Sequence, residues 1–295
     1  MKAIIPPIRF ALLSILLAIT LPSTARADLK VASLSTITTD LARNIGGSHV
    51  VVDGIIKPGV DPHEFEPTPD DVKKIADANL VLLTGKGMEG YLSKLEEAAG
   101  GSAKFVNVGK VIPSLTMSEE GRTIEDPHWW HSVANVKMAT RVIAEAFEKA
   151  DPANAADYEK NTTAYLASLE ELERWIRVQV AQIPHSQRKL VTSHDALQYF
   201  ARDYGFTIYP VKGVSTAEDP SSQHVREIIG VIKDQGVKAV FFESIENPRA
   251  VQQIADETGA RTGGTLYSDG LGDTEGNTYD SMMRHNVSTI VTGLK

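Results

Sequence analysis

Residues 59–70 read Gly-Val-Asp-Pro-His-Glu-Phe-Glu-Pro-Thr-Pro-Asp and place one histidine, His63, in a loop that contains three prolines. Each proline fixes its own φ and pushes the preceding residue toward extended conformations. The loop therefore presents the imidazole of His63 with little conformational freedom to lose on binding. Taken alone, the tripeptide Asp61-Pro62-His63 has two interpretations, a plain turn or a turn that presents a metal ligand.

The same tripeptide recurs at Asp126-Pro127-His128, and a third histidine, His194, follows the short apolar run at residues 190–192. Metals that prefer imidazole bind a neutral ring nitrogen, and neighbouring acceptors hold the ring in orientation. The repetition of the unit, with acids beside each histidine, favours the metal interpretation over the plain turn.

The first 27 residues have the pattern of a secretory signal peptide. Lys2 and Arg9 precede an apolar run at residues 10–21, and Ala25-Arg26-Ala27 supplies a small-x-small cleavage pattern. The run is too short to span a bilayer comfortably. We therefore expect cleavage after residue 27, a mature chain that starts at Asp28, and a location in a bacterial periplasm.

Composition narrows the class of protein further. The chain contains no cysteine, so it carries no disulfide and no cysteine-linked lipid after cleavage, which favours a free periplasmic protein over a lipoprotein. Loss of the signal peptide removes three basic residues and no acidic one, and it changes the formal net charge from −8 to −11. That charge argues against nucleic acid and anionic membranes as partners and is compatible with attraction of cations.

The rest of the chain predicts an α/β protein with two lobes. Short apolar runs alternate with helical patterns on both sides of residues 151–184, which indicates mostly parallel sheets flanked by helices. Apolar residues within 151–184 recur at three, four and seven positions, which predicts one long connector helix. A coiled-coil helix is the alternative, but no sustained heptad supports it. The predicted boundaries are 28–150 for the first lobe, 151–184 for the connector and 185–295 for the second lobe.

The candidate ligands share one position in this scheme. His63, His194 and Asp269 each lie a few residues past the carboxyl end of a predicted strand, and His128 follows a strand after a longer loop. In open α/β sheets this edge lines the binding crevice. Because each lobe supplies two candidates, we expect the site in the cleft between the lobes.

A set of motifs that spans essentially the whole mature chain carries a family resemblance. In chain order these are Asp61-Pro62-His63-x-x-Glu66-Pro67-x-x-x-Asp71, Gly85-Lys86-Gly87-Met88-Glu89-Gly90-Tyr91-Leu92, Asp126-Pro127-His128-x-Trp130, Ser193-His194-Asp195-Ala196, Pro220-Ser221, Phe241-x-Glu243, Ile254-Ala255-x-Glu257-Thr258-Gly259 and Leu266-Tyr267-Ser268-Asp269. With them the chain resembles the zinc- and manganese-binding solute-binding proteins of bacterial ABC importers, the cluster A-I or TroA-like group.

The resemblance implies a function, a ligand set and partners. The metal ligands would be His63, His128, His194 and Asp269, with two lobes joined by one long helix. The protein would be a monomer and not an enzyme, and it would capture a divalent ion and deliver it to an ABC permease in the inner membrane. A periplasmic metallochaperone is a further candidate partner.

The chain departs from the family pattern in two places. The family commonly continues the second histidine motif as His-x-Trp-x-Asp-Pro, whereas this chain has His128-Trp129-Trp130-His131-Ser132-Val133. Many zinc-specific members also carry a long His-rich loop before this motif, whereas residues 109–125 contain no histidine. The chain is therefore most similar to the loop-poor, AztC-like zinc-binding members.

Several other residues have two interpretations. His131 is a weaker alternative ligand, since it lies three residues after His128. Glu243, at a predicted strand end, is either an acceptor that orients a ligand histidine or a plain strand-end acid. Trp129 and Trp130 form a stacking platform or pack in the core or at the interface between the lobes. The remaining histidines are interpreted as surface or helix-end residues, namely His49, His185, His224 and His285.

The donor set favours zinc as the transported ion over manganese. Three imidazoles and one carboxylate contain no thiolate, so softness alone does not select the metal. Within the resembling family, manganese-preferring members usually place a glutamate where this chain has His194.

Two other classes of function are alternatives. A zinc hydrolase would keep one coordination position for water beside a general base, but the resembling set already numbers four and no His-Glu-x-x-His run occurs. A surface adhesion module is disfavoured by the absence of a cysteine for lipid attachment.

Overall fold

The computed structural model describes residues 28–99, 104–119, 122–217 and 219–295. The predicted signal peptide at residues 1–27 lies outside the described residues. Within the described ranges, no helix combines the length and the apolar character needed to cross a membrane.

The first lobe is built on a four-stranded parallel sheet with strand order β2-β1-β3-β4. Its strands are β1 (Leu29–Ser33), β2 (Val50–Gly54), β3 (Leu80–Leu83) and β4 (Lys104–Asn107). Its helices are α1 (Thr36–Gly46), α2 (Pro69–Ala76), α3 (Leu92–Ala98) and α4 (Val133–Ala150). All four residues of β3 are buried, as expected for a central strand covered on both faces.

A short antiparallel hairpin, β5 (Thr116–Glu119) and β6 (Arg122–Glu125), precedes α4. The sequence analysis predicted only a long loop between the preceding strand and His128. The backbone N–H of Asp126 donates to the carbonyl of Leu115 at 2.9 Å and closes the base of the hairpin. The hairpin therefore holds Asp126 at a defined position just before His128.

One long helix, α5 (Ala155–Val180), joins the two lobes. The second lobe repeats the architecture with a parallel sheet of order β10-β9-β7-β8. Its strands are β7 (Lys189–Thr192), β8 (Thr207–Pro210), β9 (Ala239–Glu243) and β10 (Arg261–Leu266). Its helices are α6 (Gln198–Tyr204), α7 (Ser222–Gln235), α8 (Arg249–Thr258) and α9 (Tyr279–Leu294).

The largest apolar core is shared by both lobes and the connector. It joins Leu41 of α1, Phe147 of α4, Leu172 of α5 and Ile290 of α9, and each of these side chains is at most 1 % exposed. Burial of each such side chain contributes roughly 1.5–3 kcal/mol. Smaller clusters lie under α2 and α3 in the first lobe and under α7 and α8 in the second. The fold is therefore the predicted two-lobed α/β architecture, and α5 packs against α1, α4 and α9.

The loop that carries His63 ends at Thr68, so the third proline of the stretch, Pro69, belongs to α2 and not to the loop. Pro69 is the first residue of α2, and the Thr68 hydroxyl accepts from the backbone N–H of Asp71. The Asp71 carboxylate accepts in turn from the backbone N–H of Thr68, which completes a capping box. This start of α2 fixes the carboxyl end of the loop that carries His63.

Candidate metal centre

Four side chains from four loops converge between the lobes. One potential ligand atom from each of His63, His128, His194 and Asp269 lies within 4.8 Å of the other three. His63 and His128 come from the first lobe, and His194 and Asp269 follow β7 and β10 of the second. The structure thus brings together all four residues that the sequence analysis named as candidate ligands.

The donor atoms of the cluster lie at short and similar separations. The Nε2 of His128 lies 3.2 Å from the Nε2 of His63 and 3.4 Å from that of His194. The Oδ1 of Asp269 lies 3.1 Å from the Nε2 of His128 and 3.6 Å from that of His63. Its Oδ2 lies 3.2 Å from the Nε2 of His194. The three ring nitrogens and the carboxylate therefore face one common point.

The two Asp-Pro-His units fold as the same turn. In each, the aspartate Oδ1 accepts from the backbone N–H of the histidine two residues later, at 2.8 Å for His63 and 2.9 Å for His128. The Oδ1 of Asp126 also accepts from the Nδ1–H of His128 at 2.8 Å. This contact occupies Nδ1 and leaves the Nε2 of His128 directed at the cluster.

Glu243, the last residue of β9, performs the same task for His194. One of its oxygens accepts from the backbone N–H of His194 at 3.0 Å, and the other accepts from the Nδ1–H at 2.5 Å. The interpretation of Glu243 as an orienting acceptor is confirmed. It is buried at the carboxyl end of its strand, where a plain strand-end acid would remain solvated.

Burial and mutual contact shift the pKa values of the cluster strongly. Burial disfavours the charged imidazolium of His128, but hydrogen bonds and charges from Asp126 and Asp269 outweigh it and raise its pKa to about 9. Burial also opposes charge on His194, yet Asp269 and Glu243 raise its pKa well above the usual range. Although burial opposes charge on Asp269, the three imidazoles hold its pKa well below normal. In the metal-free form the cluster therefore holds protons where a cation would bind.

His131 does not join the cluster. It is buried, and its Nε2–H donates to the carbonyl of Ser268 at 2.8 Å. The indole N–H of Trp130 donates to the same carbonyl at 2.8 Å. Burial and the charge of His128 lower the pKa of His131 to about 4, so it stays neutral. These two bonds join the loop after His128 to the loop that carries Asp269.

The turn that replaces the family's Asp-Pro motif is stabilised locally. Trp129–His131 form one turn of 3₁₀ helix, and the Ser132 hydroxyl then caps α4 by accepting from the backbone N–H of Asn135 at 3.3 Å. Trp129 and Trp130 are both at most 1 % exposed, so the interpretation that they pack in the core or at the interface between the lobes is confirmed.

The sequence analysis did not identify Tyr199 as a site residue. This tyrosine of α6 is fully buried, and its hydroxyl accepts from the backbone N–H of Leu115 and donates to the carbonyl of Asp126, both at 3.1 Å. A residue of the second lobe thus holds the backbone of the aspartate that orients His128. Its only sequence signal is its position, five residues after His194 in the same strand-to-helix connection.

A cleft of about 450 Å³ lies beside the cluster and separates the two lobes at the surface. His63, Lys86, Glu125, Pro127 and Ser215 are among the residues that line it. The side chain of His63 is 7 % exposed, whereas those of the other three cluster residues are 0 % exposed. His63 is therefore the member of the cluster that solvent reaches.

The chain is similar to known metal-binding proteins over nearly its full described length. Residues 31–293 match the family model of the periplasmic zinc-uptake complex component A, ZnuA. The chain is 36 % identical over 280 residues to the manganese-binding lipoprotein MntA of Bacillus subtilis, with 92 % of this chain and 91 % of that protein covered. It is 34 % identical to the zinc-binding protein TroA of Treponema pallidum, with the same coverage.

The three-dimensional comparison agrees with these matches. The solved structure of the periplasmic zinc-binding protein TroA from Treponema pallidum superposes with a TM-score of 0.86 at 31 % sequence identity. The superposition covers 90 % of this chain and 99 % of that one.

Proposed function

The chain belongs to the ZnuA family of periplasmic metal-uptake components, and from this premise we propose that it captures a zinc ion between its lobes and delivers the ion to an ABC permease. Members of the family are extracytoplasmic binding components of ABC metal importers and not enzymes. Membership therefore disfavours the zinc-hydrolase alternative and implies a membrane permease with its ATPase as partners.

The geometry of the donor atoms is the observation that supports zinc as the bound ion. Five separations between donor atoms in the cluster run from 3.1 to 3.6 Å, with Asp269 contributing its Oδ1 toward His63 and His128 and its Oδ2 toward His194. A tetrahedron with metal–ligand bonds of about 2.0–2.1 Å has edges of about 3.3 Å, which is the geometry that zinc adopts with histidine and carboxylate ligands. His63, His128, His194 and Asp269 would each supply one corner. Asp126 and Glu243 would keep two of the imidazoles in the tautomer that binds.

A second candidate ion, manganese, is favoured by a different feature of the same site. The two oxygens of Asp269 face different imidazoles, the Oδ1 toward His63 and His128 and the Oδ2 toward His194. If both oxygens bound, the ion would have five donors, and manganese tolerates more ligands and more oxygen than zinc. The identity to the manganese-binding lipoprotein of Bacillus subtilis supports this candidate as well.

The finer assignments of the sequence analysis are part of the same proposal. We place the chain among the loop-poor, AztC-like zinc members, because residues 109–125 contain no histidine. We also propose lobe boundaries at 28–150 and 185–295 with the connector at 151–184, and the bounds of α5, Ala155–Val180, support this division. The proposal also includes cleavage after residue 27, a monomeric state and receipt of zinc from a metallochaperone. N-terminal sequencing of secreted protein tests the cleavage position, and a start at Met1 would refute it.

The central experiment is a titration of the metal-free protein with zinc in competition with a chromophoric chelator. We expect one tight site per chain and a loss of affinity of about 100-fold or more when His63, His128, His194 or Asp269 is replaced by alanine, since loss of an orienting residue alone costs about 10–100-fold. His185→Ala removes an exposed histidine and serves as the matched control. Full affinity in Asp269→Ala, with a defect in His131→Ala instead, would show that the fourth ligand is assigned wrongly.

A further inference from the structure

The two Asp-Pro-His turns differ in how their histidine rings are held. In the second turn the Asp126 carboxylate binds both the backbone and the Nδ1–H of His128. In the first turn the Asp61 carboxylate binds the backbone N–H of His63, and among the described residues no hydrogen bond joins it to the His63 ring. His63 therefore depends on the position of its turn, whereas His128 is also fixed by a direct bond to its imidazole.

The second oxygen of Asp61 reaches across to the other lobe. The Thr216 hydroxyl donates to the Oδ2 of Asp61 at 2.7 Å, and Thr216 is only 5 % exposed. By contrast, the Oδ2 of Asp126 is buried and has no hydrogen-bond partner in the part of the chain that the structure describes. The first turn, which carries the more exposed histidine, is therefore bound to the opposite lobe through the carboxylate of its aspartate, whereas the second turn is bound there through the backbone carbonyl of Asp126.

Thr216 is itself anchored within the second lobe. The Lys212 Nζ donates to the Thr216 carbonyl at 2.9 Å and forms an ion pair with Glu246 at 2.9 Å. The Lys212 side chain is 13 % exposed and that of Glu246 is 4 % exposed, so water screens this pair weakly. The Thr216 hydroxyl is thus a fixed point of the second lobe and not the end of a free loop.

We propose that Thr216 is a positioning residue that couples contact between the lobes to the hold on the metal through Asp61 and His63. With the bond made, the turn keeps His63 on the ion. When the lobes part at this point, His63 loses its support, while His128 and His194 keep the acids of their own lobes. Thr216 therefore slows the dissociation of the metal. This inference rests on the proposed function, since it presupposes that the cluster binds zinc.

The test measures the rate at which zinc leaves the full-length mature protein in the presence of excess chelator. Thr216→Val keeps the branched shape and removes the hydroxyl, and we expect zinc to dissociate about 10-fold faster, at the lower end of the effect of an orienting residue. Thr216→Ser keeps a hydroxyl and should restore a rate near that of the parent. Thr162→Val is the matched control, because its buried hydroxyl on α5 has no hydrogen-bond partner among the described residues.

A second pair of variants separates positioning from a general loss of structure. In a His63→Ala background, Thr216→Val should change the dissociation rate by less than twofold, because the residue on which Thr216 acts is gone. The metal-free Thr216→Val protein should keep the circular dichroism spectrum of the parent and a single cooperative unfolding transition, which shows that its fold is intact.

Three outcomes would overturn the inference. They are an unchanged rate in Thr216→Val, an equally fast rate in Thr216→Ser, or the same acceleration with and without His63. A parent protein that binds no zinc would instead refute the proposed function.

Discussion

Glu243 and His194 are 49 residues apart in the chain, yet both carboxylate oxygens of Glu243 accept hydrogen bonds from His194. The parallel pairing of β7 with β9 places the end of β9 beside the residues that follow β7. Because both residues are buried, the bond to Nδ1 is shielded from water and fixes the ring plane and its tautomer. Glu243 thus determines where the Nε2 of His194 points.

The first prediction concerns this bond. Glu243→Gln keeps the shape of the side chain but removes its charge, and it offers the imidazole a weaker acceptor. We expect zinc affinity to fall about 10–100-fold, the usual cost of losing a residue that orients a metal-binding histidine. Competition titration with a chelator measures it. Glu257→Gln, an exposed glutamate of α8, is the control and should bind as the parent does. Equal affinity in both variants would contradict the role of Glu243.

The second prediction concerns Tyr199. Tyr199→Phe leaves the backbone N–H of Leu115 and the carbonyl of Asp126 without their partner. An unsatisfied buried polar group costs about 1–3 kcal/mol, so the free energy of unfolding of the metal-free protein should fall by about that amount. Urea denaturation measures the loss, and a chelator titration should show weaker zinc binding, because Asp126 orients His128. Tyr209→Phe on β8 removes a hydroxyl that bonds none of the described residues, and it should change neither quantity.

The clustering of the four candidate residues was predictable, because their placement depends on local features, whereas their assignment as ligands came from the family resemblance. The turn at Asp61-Pro62-His63 and the positions of His194 and Asp269 after strands follow from short stretches of sequence and from the rule that parallel strands share one binding edge. Glu243 was recognisable as a strand-end acid for the same reason. Its partner was not, since the strand order that brings β9 beside β7 cannot be obtained from local pattern.

The contacts that join the lobes were beyond sequence reasoning. The bonds from Trp130 and His131 to Ser268 span 138 and 137 residues, and the bond from Thr216 to Asp61 spans 155. No local sequence pattern at any of these residues indicates that its partner lies in the other lobe. The β5–β6 hairpin was missed because its strands are four residues each and poor in apolar residues, so they lack the alternation that marks a half-buried strand.

The third prediction uses the lowered pKa of His131. Its folded pKa of about 4 lies below the ordinary value of 6.5, because burial and the charge of His128 disfavour the imidazolium. Between these values the unfolded chain binds more protons than the folded chain, so the stability that is present above pH 6.5 is lost as pH falls toward 4. A pKa shift of this size corresponds to about 3 kcal/mol of free energy of unfolding.

The test compares the parent with His131→Gln, which keeps a donor for the Ser268 carbonyl but cannot titrate. Urea unfolding of the metal-free proteins measures the free energy of unfolding at pH 7 and at pH 4.5. Between these two pH values the parent should lose about 2–3 kcal/mol more of it than the variant does. Groups common to both proteins cancel in this difference. His185→Gln removes a surface imidazole and serves as the control. Identical losses in parent and His131→Gln would show that His131 is not held neutral.

The fourth prediction concerns protons released by metal. In the metal-free protein the raised pKa of His128, about 9, keeps it protonated at neutral pH, and His194 is raised as well. Zinc binds the neutral imidazoles, so binding must expel these protons. We expect at least one proton released per zinc at pH 7.5, and an affinity that increases as pH rises toward 9. Calorimetry in buffers of different ionisation enthalpy counts the protons, and a count of zero would contradict the charge state inferred for the cluster.

The last prediction decides between the two candidate ions. Zinc accepts four ligands in a tetrahedron, whereas manganese favours more oxygen donors and a higher coordination number. The Nε2 of His128 lies 3.2 Å from that of His63 and 3.4 Å from that of His194, close to a tetrahedral edge, and this favours zinc, although the second oxygen of Asp269 and the manganese-binding relative point the other way. We expect the parent to prefer zinc in competition at equal free concentrations near neutral pH. His194→Glu replaces one nitrogen donor by oxygen and should reduce the preference for zinc over manganese. His185→Glu introduces the same charge at the surface and should leave this preference unchanged. A parent that binds manganese more tightly than zinc would show that the carboxylate, and not the imidazole at position 194, determines the selectivity.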